Sequence, residues 1–176
     1  RSRPPADRRV EFERQQAGMS RILLPEWSHQ DGILRTWPHA ATDWIDLLDE
    51  VEQVYIDLAQ AITRQERLLI ACFDQVHQEH IGHLLNAAGV HGSRYRLVIA
   101  PSNDSWSRDH GPITVRDEGE LHLLDFRFNG WGGKYAHDLD DRIPNRLVES
   151  GCFGTTPCTS VELVLEGGAI ESDGAG

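Results

Sequence analysis

The residues able to do chemistry gather in three short stretches. Trp106-Ser107-Arg108-Asp109-His110-Gly111-Pro112 follows an apolar run and precedes a hairpin pattern. An indole three residues from a carboxylate suits a delocalised cation: the ring face attracts the charge and the carboxylate accepts its N–H groups. The same residues have a plain structural use, in which Trp106 packs, Arg108 and Asp109 form a surface ion pair, and Gly-Pro makes a turn. Leu165-Glu166-Gly167-Gly168 puts a second carboxylate at the end of an apolar strand, before two residues that permit close backbone approach. Glu166 can face a ligand there, or open a tight turn. Phe128-Asn129-Gly130-Trp131-Gly132-Gly133-Lys134-Tyr135 can line a substrate slot, but it lacks the G-x-G-x-x-G spacing of a phosphate cradle.

Other reactive residue types are less organised. His77, His80 and His83 recur every third residue, yet no carboxylate or cysteine completes a metal set at a convincing spacing. Cys72 lies in an apolar run, while Cys152 and Cys158 lie in a Gly/Thr/Pro stretch. Three cysteines without a C-x-x-C pattern fit free thiols in a reducing cytoplasm. The chain has 176 residues with a net charge of −11, which disfavours a nucleic-acid partner and mildly favours small cationic ones. No apolar run is long enough for a membrane-spanning helix. Residues 1–20 hold five Arg and carry +2, against −13 for the rest. They read as a basic tail, or as sequence upstream of a start at Met19.

The elements that must position these groups follow from periodicity. Strands are expected at 22–24, 32–37, 67–73 and 95–100, the last two buried on both faces. A helix capped by Thr42 or Asp43 should bury Trp44, Leu47, Leu48, Val51, Val54, Tyr55, Leu58 and Ile62 and expose an acidic face that includes Glu52. A second helix covers about 75–88 and ends at Gly89. Residues 112–115 and 120–128 form a hairpin through Asp117-Glu118-Gly119, with a bulge near Leu124. A helix near 144–150 starts at Pro144, and a strand at 161–165 leads into Glu166. The order predicts an α/β fold of small βαβ-like modules.

Taken in order, Pro25-Glu26-Trp27, Trp37-Pro38, Asn103 to Pro112, Phe126 to Tyr135 and Leu165 to Gly168 resemble the agmatine deiminase and Porphyromonas-type peptidyl-arginine deiminase family. The resemblance spans about 22–176. It implies a pentein fold, a five-module β/α propeller, of which residues 21–176 would form about half: the N-terminal portion of a deiminase domain, stopping within the E-G-G-x-I-x-x-D-G block. The family's nucleophilic cysteine and H-x-D histidine belong to its other half, so Cys72, Cys152 and Cys158 do not occupy the nucleophile's place. By carry-over, Asp109 and Glu166 are catalytic and grip the guanidinium, and Trp106 and Trp131 line the slot.

The implied reaction hydrolyses a guanidinium to a ureido group and ammonia through a Cys-bound amidino intermediate, with no cofactor and no metal. Agmatine, giving N-carbamoylputrescine, is the expected substrate, because Gly130 and Gly132 stand where the peptidyl-arginine branch places carboxylate-binding arginines. Peptidyl-arginine is the alternative substrate, and a non-catalytic cation-binding half-propeller is the rival class. The two carboxylates are expected within roughly 5–10 Å of each other. The isolated chain is expected to be inactive, marginally stable and prone to self-association.

Overall fold

The computed structural model describes residues 21–173. The basic stretch 1–20 and the last three residues lie outside that range. Two sheets make up the fold. In the first, β2 (Gly32–Thr36), β3 (Arg67–Cys72) and β4 (Tyr95–Ile99) run parallel in that order. The parallel pairings require crossovers, which α1 (Leu48–Ile62) and α2 (Gln75–Ala87) supply. In the second sheet the order is β1 (Ile22–Leu23), β5 (Ile113–Asp117), β6 (Glu120–Arg127), β7 (Cys158–Val164). Its β5–β6 pair is an antiparallel hairpin. β6 and β7 are parallel, joined through α3 (Ile143–Glu149).

The central strand β3 is covered on both faces, as its unbroken apolar run requires. One face packs Leu68, Ile70 and Cys72 against Ala59 of α1 and Ile81 and Leu85 of α2. Across the sheet, Ala71 and Val98 meet Ile143 and Leu147 of α3, which brings the two sheets together. Asp74 caps α2 by accepting the His77 N–H at 2.8 Å, and Gly89 follows that helix in the left-handed region.

Several expectations need correcting. Thr42 does not cap α1. Its hydroxyl donates to the His39 carbonyl at 2.7 Å, and a 3₁₀ turn at Ile45–Leu47 intervenes before the helix. Glu52 belongs to the buried face, because it accepts the Trp37 indole N–H at 2.9 Å and pairs with His80 at 3.0 Å. Leu47 and Val54 are each 54% exposed instead. Strand β4 is an edge strand, so only Val98 within it is buried and Ile99 is exposed. There is no bulge at Leu124. Strands on both sides cover β6, so Leu123 and Leu124 are buried together, and the register shift falls at Phe126/Arg127 against β7. Strand β7 starts at Cys158, ahead of the expected 161, and forms an edge with Leu163 and Val164 exposed.

Candidate functional site

The Trp106 stretch forms a single helical turn, Ser107–His110, between β4 and β5. Two side chains seat it. The Ser107 hydroxyl oxygen accepts the Thr36 N–H at 2.7 Å, tying the turn to the end of β2. His110 is 2% exposed, lies 3.1 Å from the Thr36 hydroxyl and packs on the Phe128 ring. Between these anchors Asp109 stays half-buried. Arg108 does not pair with Asp109; it reaches Glu26 at 2.9 Å. The Asp109 carboxylate is therefore not neutralised by its neighbour.

The Glu166 stretch packs directly on this turn. Gly167 is buried, and a Cβ there would stand 2.2 Å from the Arg108 carbonyl oxygen, so only glycine fits. The next N–H, from Gly168, donates to Asp109 Oδ1 at 3.3 Å. Close approach of two backbones is thus the reason for the glycines after Glu166. Glu166 itself is half-buried at the mouth of this contact, one residue from Gly167.

Aromatic rings cluster next to this turn, beginning with Trp106 at its start. Trp106 and Trp131 meet edge to face at 5.0 Å, and Trp131 contacts Phe128 and Tyr135 at 5.4 and 5.6 Å. Trp131 adopts φ +59°, a conformation that costs a non-glycine residue about 1–3 kcal/mol. The loop is over-determined around it. Gly130 has no room for a Cβ beneath the Tyr135 carbonyl, and Asn129 Oδ1 accepts the Gly132 N–H at 2.8 Å. Trp106 remains 44% exposed and Tyr135 48%, leaving ring faces open to a ligand. An exposed ring three residues from a carboxylate offers a face to a planar cation.

The remaining candidates lie elsewhere. His77 accepts the Phe73 N–H at 3.0 Å, His80 pairs with Glu52, and His83 points to solvent. Among the described residues no three His, Cys, Asp or Glu side chains gather as a metal ion requires. Cys72 is buried and its thiol is pushed up to about 12, while the Cys152 thiol contacts the Leu147 carbonyl at 2.9 Å. Burial, with Asp125 nearby, raises the Cys158 thiol. Burial thus disfavours the thiolate form of Cys72 and Cys158.

Four buried groups titrate abnormally. Burial pushes His77 and His110 down to about 4, and pushes Asp125 and Asp140 up to about 6. The signs oppose one another. Between pH 4 and 6.5 the unfolded chain binds more protons at the histidines, so their contribution makes stability rise with pH. Between about pH 4 and 6 the folded chain binds more protons at the two aspartates, so theirs makes stability fall as pH rises. Replacing His110 with Gln removes one rising contribution. Urea midpoints between pH 4.5 and 6 should then fall with pH relative to those of the unmodified protein; a steeper rise would contradict this assignment.

A single sequence gave no signal for Asn103, Asp140 and Asp141 as partners. Asn103 reads as a turn residue, and the two aspartates read as ordinary residues ahead of a helix. Here Asn103 and Asp140 join loops 37 residues apart, and Asp141 holds the Phe128 N–H 13 residues away.

Known proteins resemble this chain over most of its length. The profile of the Porphyromonas-type peptidyl-arginine deiminase family matches residues 22–176. A Mycoplasma capricolum protein that carries the name agmatine deiminase is 29% identical over 86% of this chain and 40% of its own length. The chain thus spans well under half the length of such curated relatives. Among solved structures, a Cys-to-Ser variant of the C. jejuni agmatine deiminase with substrate bound superposes with a TM-score of 0.79, at 28% identity over 90% of this chain and 45% of that one. A Porphyromonas gingivalis protein described as an arginine deiminase superposes at 0.73 with 40% identity, over 88% and 45% of the two chains. With the family profile covering nearly the whole described range, the chain belongs to the Porphyromonas-type peptidyl-arginine deiminase family.

Proposed function

We propose that this chain supplies the guanidinium-gripping side of a deiminase site and that the substrate of the whole protein is agmatine. The observation that carries this reading is the Gly168 N–H on the Asp109 carboxylate, which brings the Glu166 and Asp109 turns to one place. A guanidinium offers five donors in a plane and keeps its charge at neutral pH. Two carboxylates on different sides accept those donors and fix the plane, while Trp106 and Trp131 border its face. Residues 21–173 then correspond to about half of a pentein propeller, with β7 and β4 as edges at which further modules would pack.

The reaction of the whole protein follows from that grip. A cysteine thiolate outside Cys72, Cys152 and Cys158 attacks the guanidinium carbon. The departing nitrogen takes a proton from solvent, the C–N bond breaks and ammonia leaves, giving an S-amidino cysteine. Water then adds to the same carbon and the C–S bond breaks, leaving the ureido product and a free thiol. Glu166, beside the reacting carbon, accepts the water's proton.

Agmatine is favoured over peptidyl-arginine by the fate of Arg127. Its guanidinium is already held by Asp141 at 3.3 Å and Glu162 at 3.0 Å, so it is not free to bind a substrate carboxylate. Lys134 lies over the Tyr135 ring at 5.1 Å. Gly130 and Gly132 add no cation.

Calorimetry and an ammonia assay on the 176-residue chain test the reading. Agmatine should bind more tightly than arginine, and no ammonia should be released. Ammonia release that disappears on replacing Cys72, Cys152 or Cys158 would show that the nucleophile is one of these three. Failure to bind agmatine would remove the function proposed here.

A further inference from the structure

The two indoles of the slot come from separate loops, and their rings meet at 5.0 Å. Two adjacent aspartates in the turn before α3 hold both loops. Asp140 is 1% exposed, and its Oδ1 accepts the N–H groups of Asn103 at 2.7 Å and Asp104 at 3.3 Å. Asn103 reciprocates, its Oδ1 accepting the N–H groups of Leu139 at 2.8 Å and Asp140 at 3.3 Å. This four-bond clamp fixes the turn that leads into Trp106. The neighbouring carboxylate, Asp141, accepts the Phe128 N–H at 2.7 Å, three residues before Trp131. One short turn therefore grips the backbone ahead of each indole.

We propose that Asp140 with Asn103, and Asp141 beside them, are positioning residues that set the separation of Trp106 and Trp131 and so fit the slot to a flat cation. The slot's role in agmatine binding rests on the function proposed above; the positioning of the rings does not. None of the three needs to touch substrate. Their effect passes through backbone N–H groups. A buried acceptor with several donors is costly to remove, because each donor is left unsatisfied. The required quantity is the acceptor geometry and not the charge, since an amide oxygen accepts the same N–H groups.

The near-ultraviolet circular dichroism lost on replacing Trp106 or Trp131 with Phe isolates the indole pair's band from that of the other three Trp residues, and agmatine titration reads the slot. Asp140→Ala should lose most of the pair's band and weaken agmatine binding about tenfold or more. Asp140→Asn, which retains an oxygen acceptor, should restore the band and most of the binding. Leu147→Ala, which opens a cavity in the α3 core but removes no bond of the clamp, should lower the melting temperature while leaving the indole band and agmatine affinity unchanged well below the melt. A folded Asp140→Ala variant with an intact band would overturn the proposal. So would loss of the band in Asp140→Asn, or loss of band and affinity in Leu147→Ala equal to that in Asp140→Ala. If the unmodified chain binds no agmatine, the proposed function fails while the indole band still decides the positioning claim.

Discussion

Replacing Asp109 with Asn should weaken agmatine binding about tenfold to a hundredfold and leave the fold in place. The asparagine keeps an Oδ1 that accepts the Gly168 N–H, so the contact at 3.3 Å survives. What is lost is the negative charge facing the guanidinium. Hydrogen bonds to charged groups are worth about 1.5–3 kcal/mol, and about 1.4 kcal/mol is tenfold in affinity. Glu166→Gln should act in the same direction, and the double variant should bind no better than the weaker single one. Calorimetric titration with agmatine, together with a thermal melt, separates the two effects. An Asp109→Asn variant that binds like the parent would mean that the guanidinium lies elsewhere.

Gly167→Ala should be the most damaging small substitution in the chain. Its Cβ would meet the Arg108 carbonyl oxygen at 2.2 Å, and both partners are backbone, so neither can swing away. Overpacking against well-fixed neighbours costs about 1–3 kcal/mol, occasionally more. For a chain of this size, each kcal/mol moves the melting temperature by about 2–4 °C. A fall of about 2–12 °C is expected. Gly168→Ala makes a useful contrast. Its Cβ would lie 2.9 Å from Asp109 Oδ1, the end of a side chain that can turn. That variant should melt near the parent but bind agmatine less well, because the carboxylate is pushed aside. Equal melting temperatures for Gly167→Ala and the parent would show that the two turns do not pack as described.

Much of this arrangement was legible in one sequence. Strand β3 and helix α2 are strongly periodic, and their caps and apolar runs place them within a residue of the observed ends. Asp109, Glu166, Trp106 and Trp131 are assigned to a site through the family resemblance, because their spacing alone also fits a packed ring, a surface ion pair and a tight turn. The failures have a common origin. Glu52 reads as a solvated acid because its charge is visible in sequence while its partners, Trp37 and His80, lie 15 and 28 residues away. Val54 and Leu58 read as core for the mirror reason: periodicity marks an apolar stripe but not which side of α1 the sheet covers. Strand β4 carries the apolar run of a central strand yet lies at an edge. The Asn103–Asp140 clamp is a pairing of turn residues, which local propensity does not encode.

The most direct test of the central claim is a crystal structure of the chain with agmatine. The guanidinium should lie between the Asp109 and Glu166 carboxylates, themselves within roughly 10 Å of each other as near-attack positioning requires, with its face toward Trp106 and Trp131. Agmatine bound away from Asp109, or the two carboxylates on opposite faces of the fold, would contradict the account.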